Sequence, residues 1–105
     1  MADVQEFFES YLPNRLSEAP EIVESINAVY QFDLGDAGNW TVDLTQPGGA
    51  ITRGTHDAPG CVVSAKSEHF AKLLDNPDSS MMMFTMGQLK VSNLSLGMQL
   101  RKLLG

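Results

Sequence analysis

The sequence is poor in the residues that build disulfide, metal and nucleic-acid sites. It has one cysteine, two histidines and seven basic residues against 13 acidic ones in 105 residues, which gives a net charge of −6. A lone cysteine, Cys61, cannot close an internal disulfide bond. Affinity for nucleic acid comes mainly from neutralising phosphates, so an acidic chain is poorly suited to it. These shortages exclude a disulfide scaffold and argue against nucleic acid as a partner.

Long apolar runs are missing as well. No run approaches the roughly 18 apolar residues of a membrane-spanning helix, and residues 1–6 are acidic where a secretory signal is positive. We therefore expect a cytoplasmic protein without stable membrane insertion. The length and the 43% content of hydrophobic residues fit one globular domain over residues 1–105.

Residues for metal or covalent chemistry are scarce and scattered. His56, His69 and Cys61 are the soft metal-ligand candidates, and they lack a paired ligand spacing. No nucleophile elbow, dinucleotide-binding loop or phosphate-binding loop occurs. Asp33 and Asp43 could face each other on neighbouring strands, but charged residues in the polar phase of a strand are usually solvated. The sequence therefore predicts no metal, no cofactor and no enzymatic activity.

Helical spacing marks the beginning of the chain. Apolar residues at i, i+3, i+4, i+7 and i+8 from Val4 predict an amphipathic helix that ends at Pro13. Pro20 suits a first helical position, and it predicts a second helix over about residues 20–26.

The period then changes to two, which indicates strands. Alternation over residues 28–34 and 40–44, with a glycine-rich turn between them, predicts a hairpin. Further strands are expected over residues 50–54 and 61–65, and we expect these four strands to form an antiparallel meander. A fifth strand is expected over residues 89–91. The predicted fold class is α/β (α+β), a five-stranded, mainly antiparallel sheet with helices before and after.

The second half of the chain carries the remaining helix signals. Ser67 is the expected N-cap of a helix that Asn76 and Pro77 interrupt. A last helix is expected from about Ser95, with Asn93 or Ser95 as its cap.

Methionine is the unusual residue of this chain. There are six in 105 residues, four of them between Met81 and Met86. Their flexible thioether side chains adapt to ligands or partners of variable shape, although a single methionine more often fills a core.

The last predicted helix is apolar on two sides. Leu96, Leu100 and Leu103 share one face, while Leu94 and Met98 fall on nearly the opposite one. One face can cover the sheet. The other can contact the methionine segment, an apolar ligand or a second subunit, and periodicity does not choose among these three.

Several segments, in this order, carry a family resemblance: residues 27–34 (NAVYQFDL), 40–44 (WTVDL), Gly54, 86–92 (MGQLKVS) and 96–100 (LGMQL). Together they resemble the sterol carrier protein type 2 family, also called nonspecific lipid-transfer proteins, over nearly the whole chain. The resemblance implies a five-stranded sheet covered on one face by helices. It also implies an apolar tunnel that takes fatty acids, acyl-coenzyme A, phospholipids or sterols.

Positions matched to the family give the expected tunnel wall. They are Phe32, Trp40 and Val42 of the sheet, and Met82, Met83, Phe84, Met86, Leu94, Met98, Leu100 and Leu103 of the later segments. The predicted function is an intracellular, non-catalytic carrier, a monomer or weak homodimer, that holds a fatty acid, fatty acyl-coenzyme A or similar ligand. The alternative is an interaction or dimerisation module on the same fold, with its cavity filled by methionines.

Overall fold

Helices and strands follow one another largely as the sequence patterns indicate, in a computed structural model that describes residues 3–104. The predicted domain, residues 1–105, thus includes Met1, Ala2 and Gly105, which lie outside the described residues. The helices are α1 (Val4–Glu6), α2 (Leu12–Glu18), α3 (Pro20–Ile26), α4 (Ser67–Asp75), α5 (Ser80–Thr85) and α6 (Leu94–Leu104). The strands are β1 (Val29–Asp33), β2 (Asn39–Asp43), β3 (Ala50–Arg53), β4 (Cys61–Ser64) and β5 (Lys90–Val91).

The first helical segment does not end at Pro13, so that prediction was wrong. A π turn, Phe7–Tyr11, joins α1 to α2 without a break, and the helix continues to Glu18. In the π turn the N–H of Leu12 donates to the carbonyl of Phe7, five residues back. Pro13 therefore falls in the first turn of α2, where a residue without an N–H is tolerated.

The strands do not form the predicted four-strand meander. The sheet order is β3-β2-β1-β4-β5, with β4 parallel to β1 and the other neighbours antiparallel. The loop over residues 54–60 connects β3 to β4 and is held against two strands in between. The Thr41 hydroxyl donates to the carbonyl of Gly54 (2.9 Å), and the Gln31 side-chain oxygen accepts from the N–H of His56 (2.9 Å). The chain thus crosses from β3 to β4 with its loop held by side chains of β2 and β1. The alternation of apolar and polar residues does not reveal these hydrogen bonds.

One face of the sheet carries the apolar core. In β1, Tyr30 lies opposite Val42 and Cys61, and Phe32 lies opposite Trp40 and Val63. All six side chains are buried. Because alternate residues of a strand point to one side, this face is continuous across β2, β1 and β4.

An aromatic cluster joins the helices to this face. The Phe8 ring of the π turn stacks on Trp40 with ring centroids 4.9 Å apart. It also meets Phe32 edge-on at 5.1 Å and Phe70 of α4 at 5.9 Å. Helices therefore cover the apolar face of a five-stranded, mostly antiparallel sheet, as predicted.

The two aspartates of the hairpin do not face each other. Asp33 pairs with Asn39 and Asp43 pairs with Val29, so the carboxylates lie at opposite ends of the β1–β2 pair. The carboxylate of Asp43 accepts hydrogen bonds from the hydroxyl and the N–H of Thr45, and these bonds lower the pKa of Asp43. This carboxylate stabilises a turn rather than belonging to an acid–base pair.

The helix starts differ in part from the predictions. α4 begins at Ser67 itself, with extended Lys66 before it and no side-chain cap, so the predicted Ser67 cap was wrong. At α6 the side-chain oxygen of Asn93 accepts from the N–H of Leu96 (3.1 Å), which confirms one of the two expected caps. The predicted interruption at Pro77 is also confirmed, since a short 3-10 turn separates α4 from α5.

Candidate functional site

An open groove of about 510 Å³ lies between α5, β5 and α6. It is lined by Ser80, Met81, Phe84 and Thr85 of α5, by Leu89 and Val91, and by Leu94, Gly97 and Met98 of α6. None of these lining residues carries a charge. The groove therefore offers mainly apolar surface, with two hydroxyl groups on one wall.

Two glycines allow the chain to build this groove. Gly87 follows α5 with a φ of +75°, a conformation that glycine adopts readily, and it turns the chain toward β5. At Gly97, a Cβ atom would lie only 2.8 Å from Cγ2 of Val91. The missing side chain therefore lets α6 approach β5 closely in the lining of the groove.

Four of the apolar side chains in the groove walls are exposed. Met81 is 65% exposed and Met98 71%, with Leu94 at 62% and Phe84 at 39%. Neighbouring exposed apolar side chains on a protein surface often mark a site for a ligand or a partner. The other side of α6 is quite different, because Leu100, Leu103 and Leu104 are buried in the core.

Polar contacts hold α6 in place. The Tyr30 hydroxyl donates to the carbonyl of Leu96 (2.5 Å), and the Arg15 side chain donates to the carbonyl of Lys102 (2.7 Å). The Arg101 guanidinium lies 2.9 Å from the carboxylate of Asp78, in the turn before α5. These contacts fix the helix while its Leu94–Met98 side stays open.

Replacing Tyr30 by phenylalanine tests the anchor of α6. We expect a loss of about 0.5–1.5 kcal/mol in the free energy of unfolding, because the hydrogen bond from the Tyr30 hydroxyl to the Leu96 carbonyl is lost. Burial raises the pKa of Tyr30 well above its usual range. The unfolded chain therefore ionises first, and the stability of the native protein should fall above about pH 10.

Urea denaturation at pH 7 and at pH 10.5 measures both effects of this change. The Tyr30→Phe variant should lose less stability between the two pH values than the native protein does. An equal loss of stability between the two pH values in the native protein and in Tyr30→Phe would contradict burial of the Tyr30 phenol. Tyr11→Phe is the matched control for the pH effect, because it alters a half-exposed tyrosine whose hydroxyl makes one long contact (3.4 Å) with the carbonyl of Leu104.

The structure separates the residues predicted for the tunnel wall into three groups. Phe84, Leu94 and Met98 line the groove, and Met82 and Met86 are exposed but do not line it. The remaining side chains are buried in the core: Phe32, Trp40, Val42, Met83, Leu100 and Leu103. A wall formed by all of these residues stays a prediction.

Several lining residues were missed by sequence reasoning. They are Ser80, Met81, Thr85, Leu89, Val91 and Gly97. Met81 belongs to the methionine cluster that the sequence singled out. A glycine inside an amphipathic helix was the available signal for Gly97, because it indicates a packing constraint.

Among residues 3–104, no three His, Cys, Asp or Glu side chains are grouped so that they could hold a metal ion. Within the same range, every helix is too short or too polar to cross a bilayer.

Comparisons with known proteins agree with the fold. The model of the SCP-2 sterol transfer family matches residues 8–105. Rattus norvegicus hydroxysteroid dehydrogenase-like protein 2 is 36% identical over 92 residues, which cover 84% of this chain and 18% of that protein. The chain thus spans less than a fifth of that relative.

Solved structures give the same fold. Apo sterol carrier protein 2 from Yarrowia lipolytica superposes with a TM-score of 0.73 at 21% identity, covering 94% of this chain and 81% of that one. The sterol carrier protein domain 2 of Helicoverpa armigera gives a TM-score of 0.69 at 20% identity, covering 98% and 90%.

Proposed function

Because the chain belongs to the SCP-2 sterol transfer family, we propose that it is a non-catalytic carrier that binds one lipid molecule in the groove between α5, β5 and α6. The observation that carries this proposal is the groove itself, about 510 Å³ of mainly apolar lining that opens to solvent. Small-molecule sites typically measure about 300–1,000 Å³ and combine apolar walls with a few polar groups.

The binding energy would come from the apolar part of the lipid. Each buried methylene contributes roughly 0.8 kcal/mol, so ten give about 8 kcal/mol before the cost of immobilising the ligand. Met81 of α5 and Met98 of α6 both line the groove, and their flexible side chains suit lipids of different shape. We therefore expect broad specificity and an affinity no tighter than about micromolar.

The ligand classes that we propose are fatty acids, fatty acyl-coenzyme A, phospholipids and sterols. An open groove accommodates an apolar chain while the polar head stays in water. We propose that the protein works inside the cell as a monomer or weak homodimer. We do not propose for this chain the dehydrogenase activity that the relatives' names suggest, because the chain spans only about a fifth of their length.

Native mass spectrometry of the purified protein, followed by organic extraction, tests the carrier. We expect a lipid bound with a stoichiometry near one, or binding of a fluorescent fatty acid by the delipidated protein. Failure to bind fatty acids, acyl-coenzyme A and sterol analogues would contradict the proposal. An empty protein that sediments as a stable oligomer and hides Leu94 and Met98 would favour the interaction module instead.

A further inference from the structure

The methionines around the groove differ sharply in exposure. Met81 and Met98 line the groove and are 65% and 71% exposed. Met82 and Met86 are 65% and 64% exposed but do not line it. Met83 is only 5% exposed. Since oxidation of a thioether needs access to the sulfur, four of these methionines are open to an oxidant and the fifth is shielded.

We propose that Met81 and Met98 are oxidation sites at which hydroperoxides switch off lipid binding. This inference rests on the proposed function, because it describes regulation of the same groove. A hydroperoxide transfers one oxygen atom to the thioether sulfur, so that its O–O bond breaks and an S–O bond forms. The sulfur loses two electrons, and the hydroperoxide is reduced to the alcohol, or to water when it is hydrogen peroxide.

The chemistry of the groove explains why oxidation opposes binding. A sulfoxide is a polar hydrogen-bond acceptor, and a bound lipid would remove its water. The hydroxyls of Ser80 and Thr85 are the side-chain donors of the lining, and the Thr85 hydroxyl already donates to the carbonyl of Met81 (3.0 Å). A hydroxyl has one hydrogen to donate, so Ser80 can satisfy one sulfoxide at most. At least one of the two sulfoxides would therefore lie under the lipid without a side-chain donor, and we expect oxidation of both methionines to weaken binding about tenfold or more.

The fold is expected to survive this oxidation. Met81 and Met98 lie on the solvent side of α5 and α6, whereas the neighbouring core positions are occupied by Met83 and Leu100. Cys61 is fully buried and thus shielded from the same oxidant. An unchanged far-ultraviolet circular dichroism spectrum and an unoxidised Met83 would confirm that binding is lost without unfolding.

Two double variants separate the groove from general oxidation. Met81→Leu with Met98→Leu removes the proposed sites, and Met82→Leu with Met86→Leu removes the same number of exposed methionines outside the lining. Each protein is treated with hydrogen peroxide until peptide mass spectrometry shows sulfoxide at its remaining exposed methionines. The dissociation constant for a fluorescent fatty acid after treatment is then divided by the constant of the same protein before treatment. This ratio cancels any change in affinity that the substitutions themselves cause.

We expect this ratio to reach about tenfold or more in the native protein and in the Met82/Met86 double variant. It should stay below about twofold in the Met81/Met98 double variant. The two methionine sulfoxide reductases together, one for each sulfoxide epimer, should restore binding by the oxidised native protein. Equal ratios in the two double variants, or native binding that persists after full oxidation, would overturn the inference. A reduced native protein that binds no lipid would overturn the proposed function and this inference with it.

Discussion

Replacing Phe8 by alanine is expected to lower the free energy of unfolding by about 3–5 kcal/mol. The Phe8 side chain is 1% exposed and contacts the rings of Trp40, Phe32 and Phe70, so the substitution leaves a cavity where two helices meet the sheet. A domain of this size is stable by only about 5–15 kcal/mol, so this one cavity removes a large share of the total.

Urea denaturation followed by circular dichroism measures the effect of Phe8→Ala. Tyr11→Ala is the matched control, because Tyr11 lies in the same π turn, stacks on Phe7 and is 46% exposed. We expect the control to lose less than about 1.5 kcal/mol, since little apolar surface leaves the core. A loss as small in Phe8→Ala as in Tyr11→Ala would contradict the central position of the Phe8 ring.

The faces of the strands could be predicted from the sequence, but their order could not. Alternation placed Tyr30 and Phe32 on one face of β1, and Trp40 and Val42 on the matching face of β2, because the period of a strand is two. Periodicity contains no information about which strands become neighbours. A polar residue such as Gln31 is expected to face solvent in this pattern. Its side-chain oxygen instead accepts a hydrogen bond from the loop that crosses to β4.

Proline at a helix end was the other misleading signal. Pro13 normally indicates that the preceding helix stops, because it lacks an N–H. The π turn places Pro13 in the first turn of α2 instead. A π turn carries no strong local signature in the sequence, so a pattern-based reading misses it.

The residues of the candidate site could be predicted where their position depended on the pattern of one helix. They could not be predicted where it depended on how several elements meet. The two-sided pattern of α6 placed Leu94 and Met98 away from the core, and both are exposed. Ser80, Thr85 and Val91 join the groove only because α5, β5 and α6 meet there. Such residues carry no distinguishing spacing, since their role arises from contacts between elements.

A charge placed on the groove wall should weaken lipid binding and leave the stability of the fold almost unchanged. In Met98→Asp we expect lipid affinity to fall about 100-fold or more, because a bound apolar chain would strip water from the carboxylate. The free energy of unfolding should change by less than about 0.5 kcal/mol, because the Met98 side chain is 71% exposed and lies outside the core.

Met82→Asp is the matched control for Met98→Asp, since it introduces the same charge at a methionine that is 65% exposed and lies outside the groove lining. Fluorescent fatty-acid titration and urea denaturation are measured on both variants. Equal affinity in the two variants would place the ligand elsewhere. A Met98→Asp protein that loses several kcal/mol of stability would show that Met98 is covered, because a charge destabilises strongly only where it is removed from water. Concentration-dependent loss of stability in that variant would then assign the cover to a second copy of the chain.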